Sequence, residues 1–346
     1  MTVCIPGSER RRSPILGLIP GLLVSAFLVG CEKPSATWVD AEPVVTSMPS
    51  PMAHPPFVPY DSTLDASSPA AAFLETQDVL REAGATTLLR DTLLAMAASR
   101  DSVNGASLPA MRMAPAPTTS LGDGEWPADT ARCARSLRVV VAPTRGRVAV
   151  WWTKAGNSRV HLVAAWRDTV QSEGRLGAWR GPILVDTLDQ GPRDAQADVR
   201  GAYGCARPAP SVAVDTVNGY VHVAYALTGP EGPGVFYAHQ MDPRAAFEPP
   251  VAVLYGERLG EARVASHGDV VAVAYEDPNS RGRIRIGVAF SRTAGHLFEE
   301  RLSASGGTDA RDPHVVVRGR AIVVGWSDYA TSNAEPTFRL RKAVVH

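Results

Sequence analysis

The sequence predicts an all-β fold over residues 137–346, namely a β-propeller made of four-stranded blades. Three observations support this prediction: a segment that recurs four times, a turn glycine at the same place in each copy, and an alternation of large and small residues in the strand that follows. The four copies read TRGRVAVWW, TVNGYVHVAY, SHGDVVAVAY and VRGRAIVVGW. Short apolar segments separated by turns are typical of antiparallel sheets.

Each copy contains a turn glycine that is followed six or seven residues later by an aromatic residue. The glycine and aromatic pairs are Gly146 and Trp152, Gly219 and Tyr225, Gly268 and Tyr275, and Gly319 and Trp326. An Asn-Gly pair between alternating apolar residues, as at Asn218, is a strong hairpin signal. Each glycine is therefore predicted to join the first and second strands of one sheet.

The second strand of each copy has large residues on one face and small residues on the other, as with Tyr225 beside Ala224. Sheets of this kind can be buried on both faces when they pack against their neighbours, which favours a radial arrangement. A third strand follows in RVHLVAAW, GVFYAHQ, RIRIGVAF and TFRLRKAV, and a fourth follows in RGPILV, EPPVAVL and FEERLSA. The alternative architecture is a β-sandwich with hairpins of similar sequence.

The fourth repeat ends at His346 before an outer strand has appeared. A strand from upstream, for which TWVDAEPVVTS (37–47) is a candidate, would complete it. The number of blades stays open at this point. Four repeats are visible, and a larger ring would need further blades within residues 35–136.

The N-terminus has the regions of a secretion signal, because Arg10, Arg11 and Arg12 precede the apolar residues 15–29. The segment ends in LVGC, which resembles the lipobox of bacterial lipoproteins. The resemblance implies that residues 1–30 are removed, that Cys31 carries a lipid that binds the membrane, and that the protein is an outer-membrane lipoprotein facing the periplasm or the surface. The alternatives are an ordinary signal peptide and an uncleaved anchor.

Three segments are predicted between the signal and the repeats. Residues 31–68 are rich in Pro, Ser and Thr and are predicted to be a disordered tether. Residues 69–100 have a capping Ser-Pro pair and helical apolar spacing, so they are predicted to form a short helical segment. Residues 101–136 are again rich in Pro and Ala and are predicted to be a linker.

Charge and cysteine content restrict the partners and the compartment. The whole chain has 35 basic and 35 acidic side chains, and removal of residues 1–30 takes away three basic and one acidic ones, which leaves a net charge of about −2. Such a balance argues against a nucleic-acid partner. Apart from Cys4 in the signal and Cys31, only Cys133 and Cys205 remain, and in an oxidising compartment they are predicted to form a disulfide. Two separate buried thiols are the alternative.

The stretch SRTAGHLF (291–298), between the third and fourth strands of the third repeat, resembles the Asp box of sialidase-type propellers. That motif has the form Ser-x-Asp-x-Gly-x-x-aromatic, and Thr293 occupies the Asp position here. The second repeat retains part of the motif in QMDPRAAF. The matching residues are Ser291, Gly295 and Phe298 in the third repeat and Asp242 and Phe247 in the second.

The resemblance to sialidase and neuraminidase repeats covers residues 137–346 and implies where a functional site would lie. Active sialidases bind the carboxylate of their substrate with three arginines at the mouth of the central channel, beside an Asp and a Tyr/Glu pair. The candidates here are Arg207, Arg263 and Arg311, each near the start of a repeat. The alternative is that each arginine pairs with a neighbouring acid. The acids in Tyr275-Glu276-Asp277 and Ser327-Asp328-Tyr329 are interpreted as turn formers.

We therefore expect a lipid-anchored propeller that serves as a non-catalytic binding or scaffold module for a glycan or a protein at the channel mouth. The alternative function is a glycoside hydrolase of the exo-sialidase type. No cofactor and no metal are expected, because the eight histidines are scattered along the chain and no His-Glu-x-x-His motif is present.

Overall fold

The computed structural model describes residues 35–40, 42–49, 120–133, 135–142, 146–170, 175–191, 205, 207–242, 245–330 and 335–346. The predicted signal (1–30), Cys31 and the predicted helical segment (69–100) lie outside the described residues. Among the described residues, no helix is long and apolar enough to cross a membrane.

Four antiparallel sheets follow one another along the described chain. The first sheet contains β3 (Arg138–Ala142), β4 (Gly146–Gly156), β5 (Arg159–Arg167) and β8 (Arg180–Asp186). The second contains β9 (Ser211–Val214), β10 (Val221–Gly229), β11 (Gly232–Gln240) and β12 (Val251–Tyr255). The third contains β13 (Ala262–His267), β14 (Val270–Glu276), β15 (Ile286–Ser291) and β16 (Glu300–Ser303). In these three sheets the strands pair in chain order.

The fourth sheet combines strands from both ends of the described chain. It contains β17 (Asp309–Arg318), β18 (Ala321–Tyr329) and β19 (Thr337–Val345), and β19 pairs with β1 (Ala36–Trp38) and β2 (Val44–Pro49). A short ribbon of β6 (Thr169–Val170) and β7 (Arg175–Leu176) lies between β5 and β8 in the chain. The prediction of an all-β fold made of four-stranded antiparallel sheets is thus confirmed.

The first strands of the sheets lie next to one another. β3 contacts β9, β9 contacts β13, and β13 contacts β17. The first strands therefore form the inner side of the assembly and the later strands lie farther out, which is a propeller-like arrangement. The described residues show no contact of similar extent between β3 and β17, so closure of the ring and the number of blades stay predictions.

The predicted turn glycines are required by backbone geometry. Gly146 has φ of 85°, and a Cβ there would lie 2.1 Å from the carbonyl oxygen of Arg167. Gly219 has φ of 74° in the hairpin before β10, where the Asn218 side chain accepts a hydrogen bond from the backbone N–H of Tyr220. Only glycine adopts such φ values at no steric cost, which is why the repeat conserves it from copy to copy within this chain.

Aromatic side chains fill the space between two sheets and between paired strands of one sheet. Trp152 and Tyr225 meet edge to face, with ring centroids 5.8 Å apart, between the first and second sheets. Within the fourth sheet a Cβ on Gly325 of β18 would lie 2.7 Å from the ring of Phe338 on the paired strand β19. The aromatic residues that end the first two repeats, Trp152 and Tyr225, therefore belong to the core between the first two sheets.

The edge of the fourth sheet is completed by the N-terminal strand. Ala36 pairs with Val345, and the backbone N–H of His346 donates to the carbonyl oxygen of Ser35 over 2.8 Å. Residues 36–38 and 44–49, which lie in the predicted tether 31–68, are thus strands. The structural reason is that β19 would otherwise expose an unpaired edge.

Residues 120–133 also differ from the prediction, which placed them in the linker 101–136. The backbone N–H of Leu121 donates to the Trp179 carbonyl oxygen, and the Trp151 indole donates to Asp129 over 2.7 Å. This segment covers the first sheet, where the apolar Trp179 and Trp151 are fully buried. It ends at Cys133, whose backbone N–H bonds to the Trp152 carbonyl oxygen.

Cys133 and Cys205 form a disulfide, as predicted, and their Cα atoms are 5.6 Å apart. Cys133 lies against the first sheet, and Cys205 lies six residues before the start of β9. The crosslink therefore joins the first sheet to the start of the second.

We expect Cys205→Ser to lower the free energy of unfolding by about 2–4 kcal/mol, because the bridge spans 72 residues and restricts the unfolded chain. Urea denaturation in non-reducing buffer measures the change. Cys133→Ser and the double variant should lose the same amount, since each removes the same bond. Unchanged unfolding in the single variants would contradict the expectation.

Candidate functional site

We call the end of the third and fourth sheets at which β13 and β17 begin the mouth face, because Glu276 at the end of β14 there accepts a hydrogen bond from the backbone of Asp312 in β17. In the third sheet the start of β13 pairs with the end of β14, as Ala262 opposite Tyr275 shows. In the fourth sheet Asp309 at the start of β17 is opposite Tyr329 at the end of β18. Side chains that precede a first strand and side chains that end a second strand therefore meet at this face, where the three candidate arginines were predicted.

Arg207 lies inside the fold and not at a surface site. Its side chain is 1% exposed, and its Nε and Nη2 atoms each donate to a carboxylate oxygen of Asp189 over 2.8 Å. Its Nη1 also donates to the Cys205 carbonyl oxygen. Asp189 in turn accepts from the backbone N–H of Val160. This bidentate pair holds the junction of the first two sheets, so the structure does not support Arg207 as a ligand-binding residue.

Arg263 and Arg311 lie on the neighbouring strands β13 and β17, and each pairs with an acid two residues earlier. Arg263 donates to Glu261 over 3.0 Å, and Arg311 donates to Asp309 over 2.8 Å. Their side chains are partly exposed. The structure therefore brings two of the three predicted arginines to adjacent places on the mouth face and separates the third from them.

Glu276, the last residue of β14, lies between these two strands. Its Oε1 atom accepts from the backbone N–H of Asp312 over 3.4 Å, and its Oε2 atom accepts from the backbone N–H of Glu261 over 3.5 Å. The guanidinium of Arg258 lies 3.8 Å from Oε2. We call Arg258, Glu261, Glu276, Arg311, Asp312 and Tyr329 the Glu276 cluster.

The surroundings of Glu276 favour its protonated form. The pKa of this carboxyl is raised to about 7, mainly by burial. The negative charges of Glu261 and Asp312 also raise the pKa, and the positive charges of Arg258 and Arg311 lower it by less. The Tyr329 hydroxyl also has a pKa raised to about 12, first by burial and then by the charge of Asp312. Near neutral pH the cluster therefore contains a carboxyl group that can both donate and accept a hydrogen bond.

Backbone strain accompanies the cluster at Asp312. This residue has φ of 54°, and the pairing of β17 with β18 shifts register between Arg311 and His314. The bulge turns the Asp312 N–H toward Glu276. Bulges and positive φ values at non-glycine residues are concentrated at functional sites, because surrounding structure must compensate their cost.

The sequence did not predict this cluster, although it contains the residues. Glu276 and Asp277 were both interpreted as turn formers, and only Asp277 is one, since its Oδ1 atom accepts from the Asn279 N–H over 2.9 Å. Arg258 carried no motif. The one feature of the sequence that could have indicated Arg258 was its position shortly before a predicted first strand, and many other residues have such a position.

The turn over 291–298 lies on the face opposite the mouth, because Ser291 pairs with the start of β14 and Glu276 with the other end of β15. The Ser291 hydroxyl accepts from the N–H groups of Thr293 and Gly295, each over 3.1 Å. Thr293 Oγ1 accepts from the Leu297 N–H. A threonine hydroxyl therefore closes the turn at the position where the Asp box has a carboxylate.

Aromatic residues attach both Asp-box-like turns to neighbouring sheets. Phe298 meets Tyr237 of the second sheet edge to face at 4.9 Å. Gly295 has φ of 95°, and a Cβ there would lie 1.8 Å from the Tyr237 hydroxyl. In the second sheet Phe247 is buried in the core shared with the first sheet, and the Asp242 carbonyl oxygen accepts from the Ala245 N–H. These turns are structural.

No protein-family model and no curated protein matches this chain. Similar solved structures include a protein of unknown function from Dyadobacter fermentans, with a TM-score of 0.39 and 12% identity over 58% of this chain and 50% of that one. The chain thus matches half the length of that protein. An α-L-arabinanase from Penicillium chrysogenum complexed with arabinobiose has a TM-score of 0.37 and 12% identity, covering 61% of this chain and 65% of that one.

A thermostable family-43 glycoside hydrolase has a TM-score of 0.34 and 12% identity, covering 65% of this chain and 70% of that one. Similarities at this level of TM-score carry no argument about the function of this chain. The site has to be interpreted from its own residues.

We expect Arg207→Met to lower the free energy of unfolding by about 3–5 kcal/mol, because it leaves the Asp189 carboxylate buried without its main partner. Urea denaturation measures the change. The double variant Arg207→Met with Asp189→Asn should lose less than the sum of the single variants. The control Arg281→Met removes an exposed ion pair and should leave stability unchanged. If Arg207→Met were as stable as the wild type, a structural role of Arg207 would be contradicted.

We expect Glu276→Gln to become more stable than the wild type as the pH rises. The folded-state pKa of Glu276 is raised from 4.5 to about 7, so the folded wild type holds this proton more tightly than the unfolded chain does. The stability that this proton contributes to the wild type is fully present below about pH 4.5 and is lost as the pH rises through about 7, whereas Glu276→Gln has no such proton to lose. Urea midpoints of both proteins across this range measure the difference. Glu257→Gln, at an exposed glutamate, should lack this increase. A constant difference between wild type and Glu276→Gln would show that the pKa is unshifted.

Proposed function

We propose that this chain is a lipid-anchored extracytoplasmic protein whose propeller-like domain binds a glycan at the mouth face without cleaving it. The observation that carries the proposal is the Glu276 cluster. It combines a carboxyl group whose pKa is raised to about 7, two further carboxyl side chains and two guanidinium groups at the junction of the third and fourth sheets.

The chemistry of the cluster fits a ligand rich in hydroxyl groups. Each sugar hydroxyl both donates and accepts, so it is bound best where donors and acceptors alternate. Arg258 and Arg311 supply donors, Glu261 and Asp312 supply acceptors, and Glu276 supplies both. A protein partner would be favoured by an apolar patch with aromatic anchors, and the cluster consists of polar side chains.

The position of Arg207 supports a binding function over a sialidase-type reaction. The resemblance to sialidases implied three arginines around one carboxylate, and Arg207 is instead paired with Asp189 inside the fold. The remaining Arg263 and Arg311 each already pair with an acid. Arg207, Arg263 and Arg311 therefore do not form a set of three arginines around one bound carboxylate.

A glycoside hydrolase is the second candidate function, and one observation favours it. A carboxyl with a pKa of about 7 is suited to donate a proton to a leaving group, which is the role of the general acid in glycoside hydrolysis. Asp312, whose charge contributes to that pKa, would be the second carboxylate.

The proposed lipid on Cys31 would place the domain close to the outer membrane. Ala36 at the start of β1 follows Cys31 by five residue steps, which span at most about 18 Å. Since β1 forms the edge of the fourth sheet, the membrane would lie near that sheet. Residues 31–68 would then hold the domain closer to the membrane than the predicted tether implied.

We expect Glu276→Ala to weaken glycan binding about tenfold or more, since it removes hydrogen bonds to a buried group. Purified wild-type protein is screened against a mixed glycan array, and the affinity for the best glycan is measured by calorimetry. Glu257→Gln, outside the cluster, serves as the matched control and should bind like the wild type.

Mass spectrometry of the glycan after incubation separates the two candidate functions. An intact glycan with binding lost in Glu276→Ala supports the binding module. New fragments made by the wild type and not by Glu276→Gln would establish the hydrolase. Equal binding by the wild type and Glu276→Ala would overturn the assignment of the site.

A further inference from the structure

Three side chains with metal-binding atoms meet on the face opposite the mouth, where the second and third sheets adjoin. They are His239 near the end of β11, Glu248 after the following loop, and His296 in the turn over 291–298. The Oε2 atom of Glu248 lies 3.6 Å from His239 Nε2 and 3.6 Å from His296 Nδ1. All three ligand atoms lie within 4.8 Å of one another.

These distances match metal coordination better than direct hydrogen bonding. A separation of 3.6 Å exceeds the usual length of an N–H to oxygen hydrogen bond. Two ligands bound tetrahedrally to one zinc ion at about 2.0–2.1 Å are separated by roughly 3.4 Å. A zinc ion between the three atoms would therefore require only small movements of the side chains.

The buried histidine supplies a second, independent observation. His239 is 4% exposed, and its Nε2 atom has no hydrogen-bond partner among the described residues. A polar atom that is buried in this way costs free energy unless something binds it.

The ligands are held in place by neighbouring residues. The His239 ring stacks on Tyr237 at 5.6 Å and on His222 at 6.3 Å, and the Tyr237 hydroxyl bonds to His222 Nδ1 over 2.6 Å. The backbone N–H of Glu248 donates to the His239 carbonyl oxygen. On the other side, the ring of His296 meets the ring of His239 edge to face, with centroids 4.7 Å apart. A site with fixed ligands binds with less loss of entropy.

We propose that His239, Glu248 and His296 form a zinc site that joins the second and third sheets. Two imidazole nitrogens and one carboxylate oxygen are a ligand set that zinc accepts, with a fourth position left for water or another ligand. The side chains of Glu248 and His296 are partly exposed, so water can reach the three ligand atoms. The expectation of no metal came from the separation of the histidines along the chain, which the fold removes.

Zinc binding tests the site on tag-free full-length protein that has been treated with a chelator and dialysed. Bound zinc is counted by mass spectrometry of the metal, affinity is measured by calorimetry, and cobalt provides a visible absorption spectrum that reports tetrahedral nitrogen and oxygen ligands. The wild type should bind one zinc ion per chain and melt at a higher temperature when it is loaded. His296→Ala and Glu248→Gln, both at exposed side chains, should weaken binding at least about tenfold.

His267→Ala is the matched control, because His267 is a partly exposed histidine at the end of β13 outside the cluster. It should bind zinc like the wild type. Absence of zinc binding by the wild type would overturn the proposal. Equal affinity of the wild type, His296→Ala and Glu248→Gln would also overturn it, since any zinc would then lie elsewhere. Circular dichroism of the two variants before loading excludes unfolding as the cause of a loss.

Discussion

Burial of the second strand of each sheet on both faces is the constraint on which the rest of the structure depends. β10, β14 and β18 are buried along nearly their whole length, so small residues in them leave room for large ones, as Gly325 does for Phe338 on the paired strand β19. The same constraint explains the use of the N-terminal strand. Without β1, the C-terminal end of β19 would be unpaired and the core at the fourth sheet would lose Ala36.

Charged side chains buried between the sheets need partners of opposite charge or hydrogen bonds. Arg207 and Glu276 differ in how far their partners meet this need. Arg207 meets Asp189 with two parallel hydrogen bonds, so charge and hydrogen-bonding capacity are both satisfied. Glu276 faces two other carboxylates, and the nearest guanidinium nitrogen, on Arg258, is 3.8 Å away. The first arrangement stabilises a junction. The second leaves a protonated carboxyl at the mouth face, which is the property expected of a functional site.

Local patterns in the sequence predicted the local structure well. Turn glycines require only their own backbone geometry, so the hairpin glycine Gly219 could be recognised without knowledge of its neighbours. The partner of Arg207 could not be recognised, because Asp189 follows the last strand of the first sheet and Arg207 precedes the second sheet. The same holds for Glu276, whose pKa depends on Asp312 from the next sheet. Pairings between sheets are set by the fold and leave no spacing signal in the chain.

The two proposed sites use opposite ends of the same architecture. Glu276 ends β14 at the mouth face, where the third and fourth sheets meet. His296 lies in the turn after β15 on the other face, where the third sheet meets the second. A metal there would restrain the angle between those two sheets and would not touch the Glu276 cluster. The two sites share the strands of the third sheet and none of their side chains, so a ligand at the mouth face and a metal on the opposite face would make separate contacts.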